Sequence, residues 1–507
     1  MTELRRLYKD SSHYLLGQVG IFLVGFVSFP VFTRVFSVPE YGLMSLALNT
    51  VALAAVFSKL GLQHSLVRFY PEYAHSADPD AKRRYYSTLF WSASSIATLM
   101  TLLFVVGVWV APAGWVSAPV KRLLLFASVL IFVRAVSSIV MNLWRTEGKT
   151  KLYSLVNVGT KAATVATILL LLFTWQRSLK AFFAGMIAVE AAVMVGVVLL
   201  VWWRRRLVGF GLLDNTFLRH TIAFGLPMVG FELSSLILDN GDRFLVQHFL
   251  GAQQLGYYVA AYNLASYVQE AVAAPLNLAM YPIYMNLWVT KGEAETKKFL
   301  SEGLEHFVML AIGIVACVTV TGRDGIVFLS TKKYQEASHL LPLLVASLLI
   351  YSLGIYLNAG LLIHKKTFTM ARFVFYSSVL NMLLNVLLIP RMHLMGAAVA
   401  TLVACVFLAA MMGSESLSLL PLRFDFGVLA KSVLGALAAA FAASRLNFDS
   451  ALLNLVSKGL LFAALYGGLL WMTNPKVRSL AVALIGRNLK PVTPGGVPVA
   501  NDGGTAH

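Results

Sequence analysis

The sequence predicts an all-α polytopic membrane protein with about 14 transmembrane helices. These form two six-helix lobes, related by a pseudo-twofold axis along the membrane normal, and two additional C-terminal helices. Of the 507 residues, 58% are hydrophobic and only 13% are charged, roughly half the charged share of a soluble domain. The apolar runs are long and continuous, unlike the alternating strands of an outer-membrane barrel. The third observation is an internal repeat.

Each predicted span is a run of roughly 20 mostly apolar residues, the length that a helix needs to cross the hydrocarbon core. We expect the first lobe to contain the spans 12–36, 41–68, 85–110, 121–144, 152–174 and 179–203. The second lobe is expected to contain the spans 220–246, 253–287, 300–321, 336–363, 370–390 and 394–418. Two further spans cover 427–444 and 451–472.

The basic residues predict the orientation of these spans. If the N-terminus is cytoplasmic, the cytoplasmic segments contain 25 Lys and Arg and the opposite loops contain 9. An excess of Lys and Arg marks the cytoplasmic side of a membrane protein. We therefore expect both termini to be cytoplasmic, and we attribute most of the +18 net charge to this topology and not to nucleic-acid binding.

The internal repeat divides the chain into two similar halves. Phe36–Asn49 reads FSVPEYGLMSLALN and Leu250–Asn263 reads LGAQQLGYYVAAYN. At an offset of 214 residues, Gly42 falls on Gly256; later, Lys149–Thr150 matches Lys366–Thr367 at an offset of 217. Because each lobe has an even number of spans, the repeats are parallel, as in transporters with a central cavity between two lobes.

These observations predict four regions. Residues 1–210 form the N-terminal lobe, 211–421 the C-terminal lobe, 422–475 the two extra helices and 476–507 a cytoplasmic tail. Within the tail, Val477–Lys490 is predicted to be a short amphipathic helix on the cytoplasmic face.

No motif of a metalloprotease, a nucleotide-binding loop or a redox dithiol occurs in the chain. The loops are too short for a soluble catalytic domain. The two cysteines, Cys317 and Cys405, lie within apolar runs, which favours core side chains over a disulfide or a metal site. We therefore expect no enzyme activity and no cofactor.

Three segments resemble bacterial polysaccharide flippases, the Wzx-like branch of the multidrug/oligosaccharidyl-lipid/polysaccharide exporter superfamily. They are PVFTRVFSVPEYGLMSLALN at Pro30–Asn49, KLGLQHSLVRFYPEY at Lys59–Tyr73, and FGLPMVGFELSSLILDNGDRFLVQHFLGAQQLGYY at Phe224–Tyr258. The resemblance implies that the protein moves an undecaprenyl-pyrophosphate-linked oligosaccharide across the bacterial inner membrane, by alternating access, for polysaccharide biosynthesis such as that of O-antigen or exopolysaccharide. It also implies a partner polymerase or ligase.

Two alternative functions remain open. A cation-coupled multidrug exporter of the same superfamily would need an acidic, aromatic pocket for cationic drugs. A membrane glycosyltransferase or polymerase would need a catalytic cluster or a large outer loop.

The first lobe carries unusual intramembrane cations. Because a cation within a span is costly, such side chains face protein or water and mark functional sites. Arginine and lysine suit the oxygens of a pyrophosphate. We therefore predict an anionic-substrate site formed by Arg34, Lys59, Arg68, Arg134 and Lys161. Lys59 and Lys161 are the leading candidates, with a structural ion pair to Glu190 or a bond to a carbonyl as the alternative. Interfacial anchoring is the alternative for Arg34 and Arg68.

The second lobe carries intramembrane acids that we expect to lack a partner cation. Glu232 and Glu270 lie near Asn263, Gln269 and Asn277, and oxygen groups of this kind suit Na⁺ or a transferable proton. We predict that Glu232, Asp239 and Glu270 contribute to ion coupling. Asp239 and Arg243, four residues apart, could instead form an ion pair, and a structural role is favoured for Asp242 and Arg243.

Overall fold

The computed structural model describes residues 2–74, 78, 80–112, 114, 117–205, 214–475 and 477–478. Throughout these residues the regular structure is helical, which confirms the predicted fold class. The N-terminal lobe contains α1 (Thr2–Val35), α2 (Val38–Lys59), α3 (Leu62–Ala74), α4 (Ala81–Val110), α5 (Ala118–Ala127), α6 (Val129–Thr146), α7 (Thr150–Thr174) and α8 (Leu179–Arg205). The predicted helix Val477–Lys490 and the rest of the tail lie almost wholly outside the described residues.

The second half of the chain begins with a very long helical stretch, α9 (Asn215–Leu329). A 3₁₀ helix at Lys332–Leu340 follows, and then α10 (Leu341–Ser352), α11 (Gly354–Leu357), α12 (Ala359–Ile363), α13 (Thr367–Leu419), α14 (Phe426–Ser444) and α15 (Ala451–Thr473). The backbone is non-helical at Gly251 and Gly292 within α9 and at His393 within α13, so these helices reverse or bend at those residues.

Eleven helical stretches of the described chain are long and apolar enough to cross a membrane. The stretch Thr216–Leu329 has 114 residues and Thr367–Leu419 has 53, which far exceeds the roughly 20 residues that one crossing needs. The breaks at Gly251, Gly292 and His393 fall between predicted spans. The fourteen-span count stays a prediction, and the region boundaries at 210, 421 and 475 stay predictions as well.

The start of α2 illustrates how local sequence fixes a helix end. The Ser37 hydroxyl accepts a hydrogen bond from the Glu40 backbone N–H, and the Glu40 carboxylate accepts one from the Ser37 N–H. This reciprocal capping box satisfies two donors that a helix N-terminus leaves without partners. The capping box thereby fixes the residue at which α2 begins.

The helix α2 packs along α9 and joins the two halves of the chain. Gly42 and Gly256, the pair related by the 214-residue offset, contact each other: a Cβ on Gly256 would lie 2.0 Å from the Val38 carbonyl oxygen. Near the other end of α2, a Cβ on Gly61 would lie 2.1 Å from the Gly225 carbonyl oxygen. Small residues let helix backbones approach closely within a membrane. The largest buried apolar cluster spans both halves of the chain.

Candidate functional site

The first lobe contains a polar cavity of about 380 Å³ between α6, α7 and α8, to which Ile21 of α1 also contributes. Arg134, Lys161 and Glu190 line it, and each lies within a membrane-spanning helix, well away from its ends. Hydroxyl and amide side chains complete the polar surface: Ser137, Ser138, Asn142, Asn157, Thr160 and Thr164. A cavity of this volume lies within the range of small-molecule sites.

Arg134 and Glu190 form a two-point ion pair within this cavity. Arg134 Nε lies 2.8 Å from Glu190 Oε2, and Nη2 lies 2.9 Å from Oε1. Arg134 Nη1 has no hydrogen-bond partner among the described residues. The pair holds the guanidinium in a fixed plane, so it can present its remaining N–H groups to a ligand.

Lys161, near the middle of α7, has neither a hydrogen bond nor a salt bridge within the described part of the chain. Its side chain is exposed to the cavity. Its ammonium group interacts electrostatically with Arg134, Glu190 and Glu270. The alternative interpretation of Lys161, an ion pair with Glu190, is therefore wrong, because Arg134 pairs with that carboxylate.

Lys59, at the end of α2, forms an ion pair across the two lobes. Its Nζ lies 2.5 Å from Glu232 Oε1. The other carboxylate oxygen of Glu232 accepts a hydrogen bond of 2.7 Å from Gln63 Nε2, and His64 Nε2 lies 3.6 Å from it. The expectation that Glu232 lacks a partner cation is wrong, because α3 and the end of α2 pack directly on the α9 segment that carries it.

The remaining two candidate cations have partners outside the cavity. Arg34 donates to the carbonyl oxygens of Leu329 and Phe328 at 2.9 Å each, and so satisfies the C-terminal end of α9. Arg68 Nη1 lies 3.5 Å from Glu72 Oε1 on the same helix face, and both side chains are more than half exposed. Of the five predicted cations, the cavity of the first lobe brings together Arg134 and Lys161.

The acids of the second lobe occupy different environments. Asp239 and Glu270 have neither a hydrogen bond nor a salt bridge among the described residues, and both side chains are exposed in the structure. The alternative ion pair between Asp239 and Arg243 is not formed. Arg243 is buried; it donates to Ser45 Oγ at 3.1 Å and lies over the Tyr262 ring at 4.9 Å.

The polar partners Gln63 and Thr401 of these acids were not predicted from the sequence. Asp242 is fully buried and accepts hydrogen bonds from the Tyr258 hydroxyl and, at 3.4 Å, from Thr401 Oγ1. Gln63 was missed because neutral amides give no signal in a count of charges. Tyr258 and Tyr262 are buried, so their rings pack within the protein.

Comparison with known proteins supports a transporter fold. A model of the polysaccharide biosynthesis protein family matches residues 7–288, more than half of the chain. Among curated proteins, the succinoglycan biosynthesis transport protein ExoT of Rhizobium meliloti (strain 1021) is 24% identical over 277 residues. The aligned part covers 53% of this chain and 52% of ExoT, so the chain spans about half the length of that relative.

Solved structures share the fold over most of the chain. The lipid II flippase MurJ in an inward closed conformation matches with a TM-score of 0.74 at 15% identity, covering 94% of this chain and all of MurJ. An inward-facing multidrug resistance MATE family transporter of the MOP superfamily gives 0.56 at 13% identity, covering 81% of this chain and 95% of its own. The eukaryotic MATE transporter AtDTX14 also gives 0.56, at 10% identity, covering 85% of this chain and 99% of its own. This multi-span helical membrane protein thus belongs to the polysaccharide biosynthesis protein family and has the fold of the MOP superfamily.

Proposed function

We propose that the protein flips a lipid-linked oligosaccharide, carried on undecaprenyl diphosphate, from the cytoplasmic to the outer leaflet of a bacterial inner membrane. Family membership, the transport role in the name of ExoT and the flippase role in the name of MurJ support this function. The observation that carries it is Lys161, a cation without an ion-pair partner in the described chain, in a polar cavity at mid-span. A diphosphate is an anion that such a cavity can bind.

The diphosphate binds between Lys161 and Arg134. An unpaired charge in a low-dielectric cavity is costly unless water or a counter-ion solvates it. Lys161 supplies a point charge, and the free Nη1 of Arg134 supplies a directed donor. Lys59 contributes to transport through its ion pair with Glu232, whereas Arg34 and Arg68 act on helix ends and at the surface.

The structure favours the flippase function over that of a multidrug exporter with the same fold. A cationic drug in this cavity would face an ammonium group that has no counter-ion bonded to it. The repulsion between like charges is strong where the dielectric constant is low. The uncompensated cation therefore favours an anionic substrate.

The experiment that tests the proposed function replaces Lys161. In proteoliposomes that contain undecaprenyl-diphosphate-linked oligosaccharide, Lys161→Ala should lower the translocation rate at least about tenfold, because one charge-assisted contact contributes about 1.5–3 kcal/mol. Lys161→Arg should retain most of the rate. Lys151→Ala is the matched control, since Lys151 lies exposed on the same helix. Wild-type rates for Lys161→Ala at equal protein levels would refute this site.

We also propose that Asp239 and Glu270 take part in coupling transport to H⁺ or Na⁺. Both carboxylates are exposed and lack an ion-pair partner in the described chain, and Glu270 interacts electrostatically with Lys161. Glu270→Gln and Asp239→Asn should each reduce transport and flatten its dependence on pH or on Na⁺. If the ion dependence of both variants equals that of the wild type, coupling lies elsewhere.

We propose in addition that both termini are cytoplasmic. A polymerase or ligase acts on the flipped product. Reporter fusions after Gln176 and Arg391 should report the outer side. A cytoplasmic signal from both fusions would reverse the orientation. A third fusion point, Trp115, lies outside the described residues.

A further inference from the structure

The second lobe has a cavity of its own, of about 310 Å³, between α9, α10, α11, α12 and α13. Three amide side chains line it, those of Gln269, Asn277 and Asn358, together with the rings of Tyr281 and Tyr351. Among the residues of the described chain that line this cavity, none carries a charge. The cavity is thus polar and neutral.

This neutral cavity and the charged cavity of the first lobe are related by the internal repeat. At an offset of 217, Arg134, Ser137, Ser138, Met141, Tyr153 and Asn157 of the first cavity fall on Tyr351, Gly354, Ile355, Asn358, Met370 and Val374 of the second. At an offset of 214, Ile21 falls on Ser235. The two lobes therefore form the same cavity with different chemistry: the position of the charged Arg134 is taken by a tyrosine, and that of the apolar Met141 by an asparagine.

Several polar groups of the neutral cavity have unused hydrogen-bonding capacity. Asn358 Oδ1 is buried without a hydrogen-bond partner. Gln269 Nε2 donates to Ser352 Oγ at 2.8 Å, which leaves its carbonyl oxygen available. Asn277 forms no side-chain hydrogen bond within the described chain. The buried Asn358 oxygen costs free energy without a partner, and together the three amides offer a ligand both donors and acceptors.

The aromatic part of the lining is exposed to such a ligand. Tyr281 and Tyr351 both line the cavity, and their side chains are 50% and 39% exposed, so each keeps apolar surface available for contact. A pyranose ring presents C–H groups on its faces and hydroxyl groups around its edge. It therefore matches a surface of aromatic rings and amides, whereas a charged group would lose its hydration there without gaining a counter-ion.

Resting on the proposed function, we propose that the neutral cavity of the second lobe binds an uncharged sugar residue of the oligosaccharide while the charged cavity of the first lobe binds the diphosphate. The lobes would then divide the recognition of one substrate. The diphosphate is common to all precursors linked to undecaprenyl diphosphate, so the neutral cavity is the part of the protein that discriminates between their glycans.

The test compares three lipids: undecaprenyl diphosphate, the same lipid carrying a glucose disaccharide, and the same lipid carrying a disaccharide that ends in glucuronic acid. Binding is measured in detergent micelles by native mass spectrometry. Wild-type protein should bind the glucose lipid about tenfold more tightly than undecaprenyl diphosphate. It should bind the glucuronate lipid no more tightly than undecaprenyl diphosphate.

The variants separate the two cavities. Asn358→Leu and Tyr281→Ala should each lower the affinity for the glucose lipid about tenfold and leave that for undecaprenyl diphosphate within twofold. Tyr281 is half exposed, so its variant keeps the test valid if Asn358→Leu does not fold. Tyr376→Ala replaces a similarly exposed tyrosine (46%) that lines neither cavity; it is the matched control for Tyr281→Ala and should alter neither affinity. Lys161→Ala should weaken the binding of all three lipids.

The outcomes distinguish the two proposals. If the wild type binds undecaprenyl diphosphate and the glucose lipid, but the second-lobe variants change these two affinities equally or change neither, the sugar site is refuted and the flippase function stands. If the wild type binds none of the lipids, or if Lys161→Ala leaves all affinities unchanged, the diphosphate site of the proposed function fails.

Discussion

The two ends of the interface between α2 and α9 are built differently. At the beginning of α2, Gly42 packs on Gly256, and the side chains nearby form neutral or cation–dipole contacts: Asn263 Nδ2 donates to the Tyr41 hydroxyl at 2.8 Å, and Arg243 donates to Ser45. We refer to this as the Gly42 end. At the Lys59 end, Gly61 also packs on Gly225, but an ion pair, Lys59–Glu232, is added.

This difference indicates how each end responds to a perturbation. Both ends depend on shape, since the backbones of α2 and α9 touch at each of them. The Lys59 end depends in addition on charge. The Lys59 and Glu232 side chains are 15% and 26% exposed, so water can solvate them when the lobes separate. We therefore expect the Lys59 end to open at a lower free-energy cost than the Gly42 end.

The largest expected effect comes from a methyl group at the Gly42 end. Gly256→Ala would bring a Cβ to 2.0 Å from the Val38 carbonyl oxygen, so α2 and α9 must move apart. Overpacking of this kind costs about 1–3 kcal/mol, and we expect a lower thermal midpoint in detergent and a loss of transport. Gly225→Ala at the Lys59 end should have a smaller effect, because its Cβ would lie 2.8 Å from the Leu60 carbonyl oxygen.

Gly196 provides the control for this series, because a Cβ at that position in α8 meets nothing within 4 Å. Gly196→Ala should be neutral or slightly stabilising, as alanine favours a helix. If Gly256→Ala and Gly196→Ala have the same thermal midpoint, close backbone packing does not stabilise the Gly42 end.

A second prediction concerns charge at the Lys59 end. The native cysteines Cys317 and Cys405 are free, so a cysteine-free background needs two substitutions. In that background, Thr221→Cys places a thiol at a buried position where the Thr221 carbonyl oxygen accepts a hydrogen bond from Ser65 Oγ at 2.7 Å. Lys59→Met should raise the rate at which a water-soluble maleimide labels this thiol about tenfold, since losing the ion pair favours separation of the lobes.

The Gly42 end supplies the comparison for this labelling experiment. Met44→Cys is buried there, and its labelling rate should not respond to Lys59→Met. Exchanging the charges in the double variant Lys59→Glu/Glu232→Lys should return labelling of Thr221→Cys toward the wild-type rate, because the pair forms again. Equal labelling of Thr221→Cys with and without Lys59→Met would mean that the ion pair does not hold this end closed.

The sequence predicted the helical membrane fold because apolar length and the scarcity of charge follow directly from the thickness of a bilayer. The sequence repeat also aligns Gly42 with Gly256, and these two residues contact each other in the structure.

The partners of the charges were not predictable in the same way. Lys59 and Glu232 are separated by 173 residues, and only the packing of α2 and α3 on α9 brings them together. Arg134, not Lys161, reaches Glu190. Two amides of the neutral cavity, Gln269 and Asn277, were singled out from the sequence, but as groups for an ion. The cavity itself was not predicted, although the offset of 217 applied to Arg134 leads to Tyr351.

The smallest expected effect is at Arg68, which the sequence predicted, like Lys59, to belong to the anionic-substrate site. Arg68 lies nine residues after Lys59, but its partner, Glu72, is one turn away on the same helix and both side chains are exposed. Such a pair stabilises a helix by about 0.2–0.5 kcal/mol, and it connects no two lobes. Arg68→Gln should therefore leave the thermal midpoint, the labelling of Thr221→Cys and the transport rate within about twofold of the wild type. A tenfold loss of transport in Arg68→Gln, with labelling unchanged, would return Arg68 to the substrate path and show that a cation can serve transport without joining the lobes.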